Sequence, residues 1–161
     1  MPVVLSDKQI GILIRERKPL PKDYQKKLQL KAKRGHKEAE LDLKGDDGSE
    51  FVLILRQSEH NPLDFSVVLG YRPPKTNSLF RLRRYNGKSH EHTNKIESNT
   101  FYDFHVRVAT ERYQSSGFRE DSYAEPTTTF ADFTGALNAL LVDCNFVRPP
   151  QAQGSLFSRG T

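Results

Sequence analysis

Residues 28–43 read LQLKAKRGHKEAELDL. Leu28, Leu30 and Ala32 alternate with Gln29, Lys31 and Lys33. Beyond the turn Arg34-Gly35-His36, Ala39, Leu41 and Leu43 alternate with Glu38, Glu40 and Asp42. A period of two sends successive side chains to opposite sides of a strand. The stretch therefore predicts a β-hairpin with one apolar and one wet face, the lysines of one strand opposing the acids of the next. Upstream the period is helical. Ser6 followed three residues later by Gln9 is a capping-box pattern, and Ile10, Leu13 and Ile14 share one helical face. This predicts a helix over about 6–18, stopped by Pro19 and Pro21.

Downstream, the turn at residues 45–48 leads into Phe51 to Leu55, apolar on both faces and so a central strand. Phe65, Val67 and Leu69 form another strand after Asn61-Pro62. Phe80, Leu82 and Arg84 then alternate with Arg81, Arg83 and Tyr85. Residues 86–100 read as a loop of about fifteen residues, a length at which loops are usually functional or disordered. Next, Tyr102, Phe104, Val106 and Val108 take one strand face, and Asp103, His105, Arg107 and Glu111 the other. Beyond a polar stretch over 114–125, Thr129-x-x-Asp132 opens a helix over about 129–142. Its apolar face is Phe130, Phe133, Leu137, Leu140 and Leu141. The expected fold is α+β: one domain over 1–148 with an antiparallel, mostly meandering sheet of about six strands, an N-terminal helix and a C-terminal amphipathic helix. Residues 149–161, rich in Pro, Gln and Gly, are expected to form a disordered tail.

The chain has 161 residues, 25 Lys+Arg and 20 Asp+Glu, for a net charge of +5 and a pI of about 9.3. Its longest apolar run is five residues, far short of the roughly 20 a spanning helix needs. No basic stretch followed by a long apolar one opens the chain, so no signal peptide and no membrane association are expected. One cysteine, Cys144, excludes a disulfide scaffold, and its place on an apolar helical face reads as a buried inert thiol. A reducing, cytoplasmic setting is the expectation. Charge is blocked along the chain: a net +7 over 1–36, −5 over 37–66, +5 over 67–99 and −2 over 100–161. Such a field gathers polyanions on its positive face.

No dinucleotide or P-loop glycine pattern, C-x-x-C or H-E-x-x-H occurs. His36 and His60 fall in turns and read as surface residues without a role. His90 and His92 lie in the long loop, and His105 on the polar file of the next strand. If the loop folds over that file, His92, His105, Asp103, Arg107 and Glu111 share a pocket. One reading is a metal-independent ribonuclease, since RNA carries its own 2′-hydroxyl nucleophile. His92 and His105 would then be base and acid in an unassigned order, and Arg107 would stabilise the phosphorane charge. Asp103 and Glu111 would support them. Arg81, Arg83, Arg84, Asn94, Lys95 and Tyr85 would bind the nucleic acid. A metal site from His90 and His92 with Asp103 or His105 is disfavoured, because an arginine beside the ligands repels a cation. No cofactor is expected.

A second class is a non-enzymatic binding module, with Tyr85, Tyr102, Tyr113 and Phe118 stacking bases beside the arginines. Its occupant is RNA, another nucleic acid or a protein. The blandest reading is that these histidines only pack and cap loops.

Four short stretches carry a family likeness: Arg84-Tyr85-Asn86-Gly87, His92-Thr93-Asn94-Lys95, His105-Val106-Arg107 and Cys144-Asn145-Phe146. Over residues 80–147 the chain resembles a family of small, uncharacterised bacterial proteins often carried on mobile or prophage DNA. That family's pattern is an Arg-bearing strand, H-x-N-P, a strand with H-x-H, and a helix before C-N-[IF]. Lys95 stands in place of its proline and Arg107 in place of its second histidine, which argues against a three-histidine metal site. The resemblance implies a bacterial origin and points to His92, Asn94 and His105. By genomic neighbourhood it implies a toxin–antitoxin or phage-defence role, with a cognate antitoxin as a further partner.

Overall fold

The computed structural model describes residues 3–150. The expected disordered tail over 149–161 lies, from residue 151 onward, outside the described residues. Helix α1 (Asp7–Arg15) carries the capping box at Ser6 and Gln9, and Ile10, Leu13 and Ile14 are its buried face. It stops short of residue 18 because the chain turns at Glu16 and extends into β1 (Lys18–Pro19), which runs parallel to β11 (Phe146–Val147). A four-residue helix α2 (Tyr24–Lys27) precedes the expected hairpin, and residues 28–30 form a turn where its first strand is expected to begin. Only β2 (Lys31–Ala32) pairs across the turn with β3 (His36–Lys44), Lys31 opposite Glu38.

The sheet has seven strands where the alternation predicts about six. Its order is β10-β9-β6-β5-β4-β3-β2, antiparallel throughout. With β4 (Glu50–Ser58), β5 (Phe65–Arg72) and β6 (Phe80–Asn86) it is a meander broken by one insertion. That insertion occupies the stretch expected to be a loop over 86–100, and it is an ordered hairpin of β7 (His92–Asn94) and β8 (Asn99–Phe101). The strand expected from Tyr102 is only β9 (His105–Val108). Thr110 ends it by capping α3 (Glu111–Ser115) through Tyr113 N, so Glu111 sits on a helix and not on the strand file. The polar stretch after it holds the last sheet strand, β10 (Tyr123–Pro126), paired with β9. The C-terminal helix is α4 (Phe133–Asp143), capped by Asp132 and not by Thr129.

One sheet face meets α1 and α4. Leu41, Leu53, Leu55, Val67, Leu69 and Leu82 pack there with Ile14, Ala136 and Leu140. β4 is buried on both faces, Val52 and Leu53 alike, as its unbroken apolar run implies. A bulge in β6 opposite Leu69 and Gly70 breaks the simple alternation. Leu82, Arg83 and Tyr85 all turn to the helix side, and Arg81, Arg84 and Asn86 to the other.

The two helix ends meet over one buried cation. Lys18, fully buried, donates to the carbonyls of Leu13, Ile14 and Glu16 at the end of α1 and of Cys144 at the end of α4, at 2.7–2.9 Å. Its ammonium also lies over the Phe51 ring at 4.6 Å. Cys144 beside it is fully buried, and burial pushes its thiol up to about 11. At the other end of α1, Asp7 and Glu111 cap each other's helix N-termini, and the Gln114 amide holds both backbone groups of Leu5. No described helix is long and apolar enough to cross a membrane.

Candidate functional site

The face away from the helices changes character along its strands. On β4, Val52 and Ile54 give way to Arg56 and Ser58; on β5, Val68 gives way to Ser66. β6 and β9 continue the polar end with Arg84 opposite Arg107 and Asn86 opposite His105. There the face sinks into a cleft of about 430 Å³. Arg56, Arg84 and Arg107 lie in it, with Ser58, Ser66 and Asn86 between them. Gly35, His36, Asp64 and His90 supply the walls.

The charges are unevenly paired. Asp121, fully buried, is shared by Arg84 at 3.2 Å and Arg119 at 2.8 Å. Glu120 pairs with Arg81 at 3.6 Å and accepts from the Arg81 backbone N–H. Among the described residues, Arg56 and Arg107 have no carboxylate in ion-pair range. Burial holds the Arg84 and Arg107 guanidiniums below their usual values. Asp121 opposes that shift, while the crowd of neighbouring guanidiniums adds to it.

The histidine pair lies beside the cleft, under the hairpin. The His92 and His105 rings stack at 5.3 Å, and Phe101 packs on both at 5.4 and 5.6 Å. So the segment before β9 does fold back over the polar file, and it buries both rings. His105 Nδ1 donates to the Asp103 carbonyl at 2.9 Å, the only sense a carbonyl allows, which leaves Nε2 as a sealed lone pair without a partner. Burial draws His105 down to about 4, and the Arg107, His92 and Arg84 charges deepen the effect. Burial lowers His92 too.

Asn94 explains why the hairpin stays down. Its amide accepts from Ala124 N at 2.9 Å and donates to Ala124 O at 2.8 Å, pairing the free edge of β10 as another strand would. His92 Nε2 donates to the same Asn94 oxygen at 2.9 Å. The hairpin turn is held by Tyr113, whose hydroxyl donates to Glu97 at 2.5 Å and accepts from Ile96 N.

Several residues that the sequence assigns to the site stand elsewhere once folded, and the reasons are physical. Asn94 is buried with both amide groups committed, while its neighbour Lys95 points outward. The β6 bulge takes Tyr85 and Arg83 to the helix side, where Tyr85, 1% exposed, donates to Asp143 at 2.5 Å. The Asp103 side chain is exposed, and only its carbonyl serves His105. Glu111 accepts from Asp7 N on α3, away from the histidines. In the other direction, His36, whose place in a turn reads as idle surface, lines the cleft, as do Arg56 and Ser66. A signal for this is present in the sequence: a strand that runs Val52-x-Ile54-x-Arg56-x-Ser58 has an outer face that turns polar at one end.

Gly87 joins β6 to the hairpin at the cleft's end. A Cβ there would sit 1.8 Å from the Leu63 carbonyl oxygen, a backbone atom in the turn that carries Asp64. Gly87→Ala should therefore destabilise the protein by about 2–3 kcal/mol and lower its melting temperature by roughly 5–10 °C. An unchanged calorimetric melt would show that this turn moves freely and does not fix the cleft wall.

Fold and cleft together define the class: an α+β protein on a seven-stranded antiparallel meander, with a basic, polar cleft opposite its helices. Compared with known protein families, curated proteins and solved structures, the chain matches none.

Proposed function

We propose that this protein binds RNA, with the strand's phosphates held in the cleft of Arg56, Arg84 and Arg107. The observation that carries the reading is the convergence of three guanidiniums from β4, β6 and β9 in one concave polar site, two of them lacking a carboxylate partner among the described residues. Guanidinium forks match phosphate oxygens, and a low-dielectric wall strengthens the attraction. Three such contacts predict single-strand affinity falling with a log–log slope of about −2 in salt, roughly tenfold or more between about 50 and about 200 mM. Fluorescence anisotropy with a labelled single-stranded RNA measures this. Arg56→Ala should lower the slope's magnitude by about 0.7; salt-independent binding, or none, ends the proposal.

A second reading, the metal-independent ribonuclease, is favoured by the stacked His92–His105 pair beside Arg107. It asks that the β7–β8 hairpin lift, since a general base must touch the proton it takes and His105 Nε2 is sealed. RNA incubated with EDTA-treated protein decides it. Cleavage lost in His105→Ala supports catalysis; no cleavage, or equal cleavage by the variant, leaves binding alone. The family resemblance lends this reading a bacterial, mobile-element context and no activity.

A further inference from the structure

We infer that the cleft selects the end of an RNA strand, taking a terminal phosphomonoester and not an internal phosphodiester. The inference rests on the RNA-binding reading and narrows it to a substrate class.

The first observation is where unmet hydrogen-bonding capacity collects. Among the described residues, five buried side-chain atoms lack a hydrogen-bond partner: Arg84 Nε, Arg107 Nε, Asn86 Oδ1, His105 Nε2 and Asp121 Oδ2. Three of them, on Arg84, Asn86 and Arg107, belong to residues that line the cleft; His105 lies beside it under the hairpin, and Asp121 Oδ2 is the oxygen ion-paired with Arg84. Buried polar atoms are rarely left unpaired, and three of them on adjoining strands concentrate unmet polarity at this cleft. Two of the five are arginine Nε atoms, sealed from solvent like His105 Nε2, so a phosphate in the cleft meets the terminal guanidinium nitrogens.

The second observation is charge. Asp121 is ion-paired with Arg84, whereas among the described residues Arg56 and Arg107 have no carboxylate in ion-pair range, Glu38 facing Arg56 and Asp121 facing Arg107 only from further off. A terminal phosphate carries close to two negative charges at neutral pH, whereas an internal diester carries one. The dianion matches the two guanidiniums that have no ion pair among the described residues. Of the acids near the site, Glu38 is tied to His36 at 2.7 Å, and Asp64 stands on the wall, where it accepts from Ser89 at 3.3 Å. A carboxylate beside a phosphate site repels the phosphate itself but accepts a hydrogen bond from a ribose hydroxyl of the same nucleotide.

The third observation is size. About 430 Å³ holds one nucleotide, whereas surfaces that track a strand span roughly four or more nucleotides and line their course with aromatic rings. The one aromatic carbocycle in this lining, Phe65, is 3% exposed, so the site offers charge and, for stacking, only the His36 and His90 rings on its wall.

The test compares three RNA oligonucleotides of one sequence: with a 5′-phosphate, with a 3′-phosphate, and with hydroxyls at both ends. At least one phosphorylated end should bind about tenfold more tightly than the hydroxyl-ended strand, and inorganic phosphate should compete for the difference. Arg56→Gln, at an exposed position, should erase most of the preference, and Arg107→Gln all of it. Equal affinity for the three strands overturns the end-selection inference and leaves RNA binding standing. No binding to any of them overturns the RNA reading as well.

Discussion

Lys18→Met should cost about 4 kcal/mol of folding stability, a fall of roughly 10 °C in melting temperature. Methionine fills the same volume, so the loss isolates hydrogen bonding from packing. The lysine ammonium is the donor for the carbonyls of Leu13, Ile14, Glu16 and Cys144, in a place water does not reach. Burial draws its pKa down to about 8, so at neutral pH it is still an ammonium with three protons to share among those carbonyls. Removing it orphans the ends of α1 and α4 together, each unmet carbonyl costing about 1–3 kcal/mol before relaxation. Urea denaturation with two-state analysis reads the difference. A loss below about 1 kcal/mol would mean that the helix ends find other partners.

Acid should open this protein through the histidine pair. His105 is held at about 4 in the fold against about 6.5 in an open chain. Between those values the unfolded chain takes up a proton that the folded one refuses. Stability is therefore complete above about 6.5 and drains away as pH falls toward 4, by about 3 kcal/mol for this group. The cause is the desolvated ring, with the charges of Arg107, His92 and Arg84 beside it. Burial lowers His92 as well, which adds in the same direction. The comparison is between urea midpoints at about pH 7 and about pH 4.5 in wild type and His105→Gln. Carboxylate titration is common to both and cancels. The variant should lose much less than the wild type over that interval, whereas equal losses would mean that the His105 ring is hydrated in solution. Because Asn94 and His92 tie the hairpin to β10, hydrogen exchange at β7 and β8 should quicken first on acidification.

Local chemistry in the sequence determined the capped start of α1 at Ser6, the central place of β4, the burial of Cys144 and the antiparallel α+β plan. Each follows from residues a few positions apart: a hydroxyl three ahead of a glutamine, an unbroken apolar run, an apolar period. The approach of His92 to His105 was also legible, because a histidine-bearing segment precedes a strand with an outward histidine. What lay beyond that reading depended on partners distant in the chain. The β6 bulge, which sends Tyr85 inward and Arg84 outward, arises from its register against β5. Glu111 left the strand file because Thr110 found a helix to cap and Asp7, 104 residues away, to exchange caps with. Asn94 became an edge closure because β10, assembled later in the sequence, left a bare backbone beside it. The cleft itself is three strands' worth of side chains meeting on one face, and no single stretch of sequence contains it. Hydrogen bonds and burial decide such matters in space, whereas periodicity registers only neighbours along the chain.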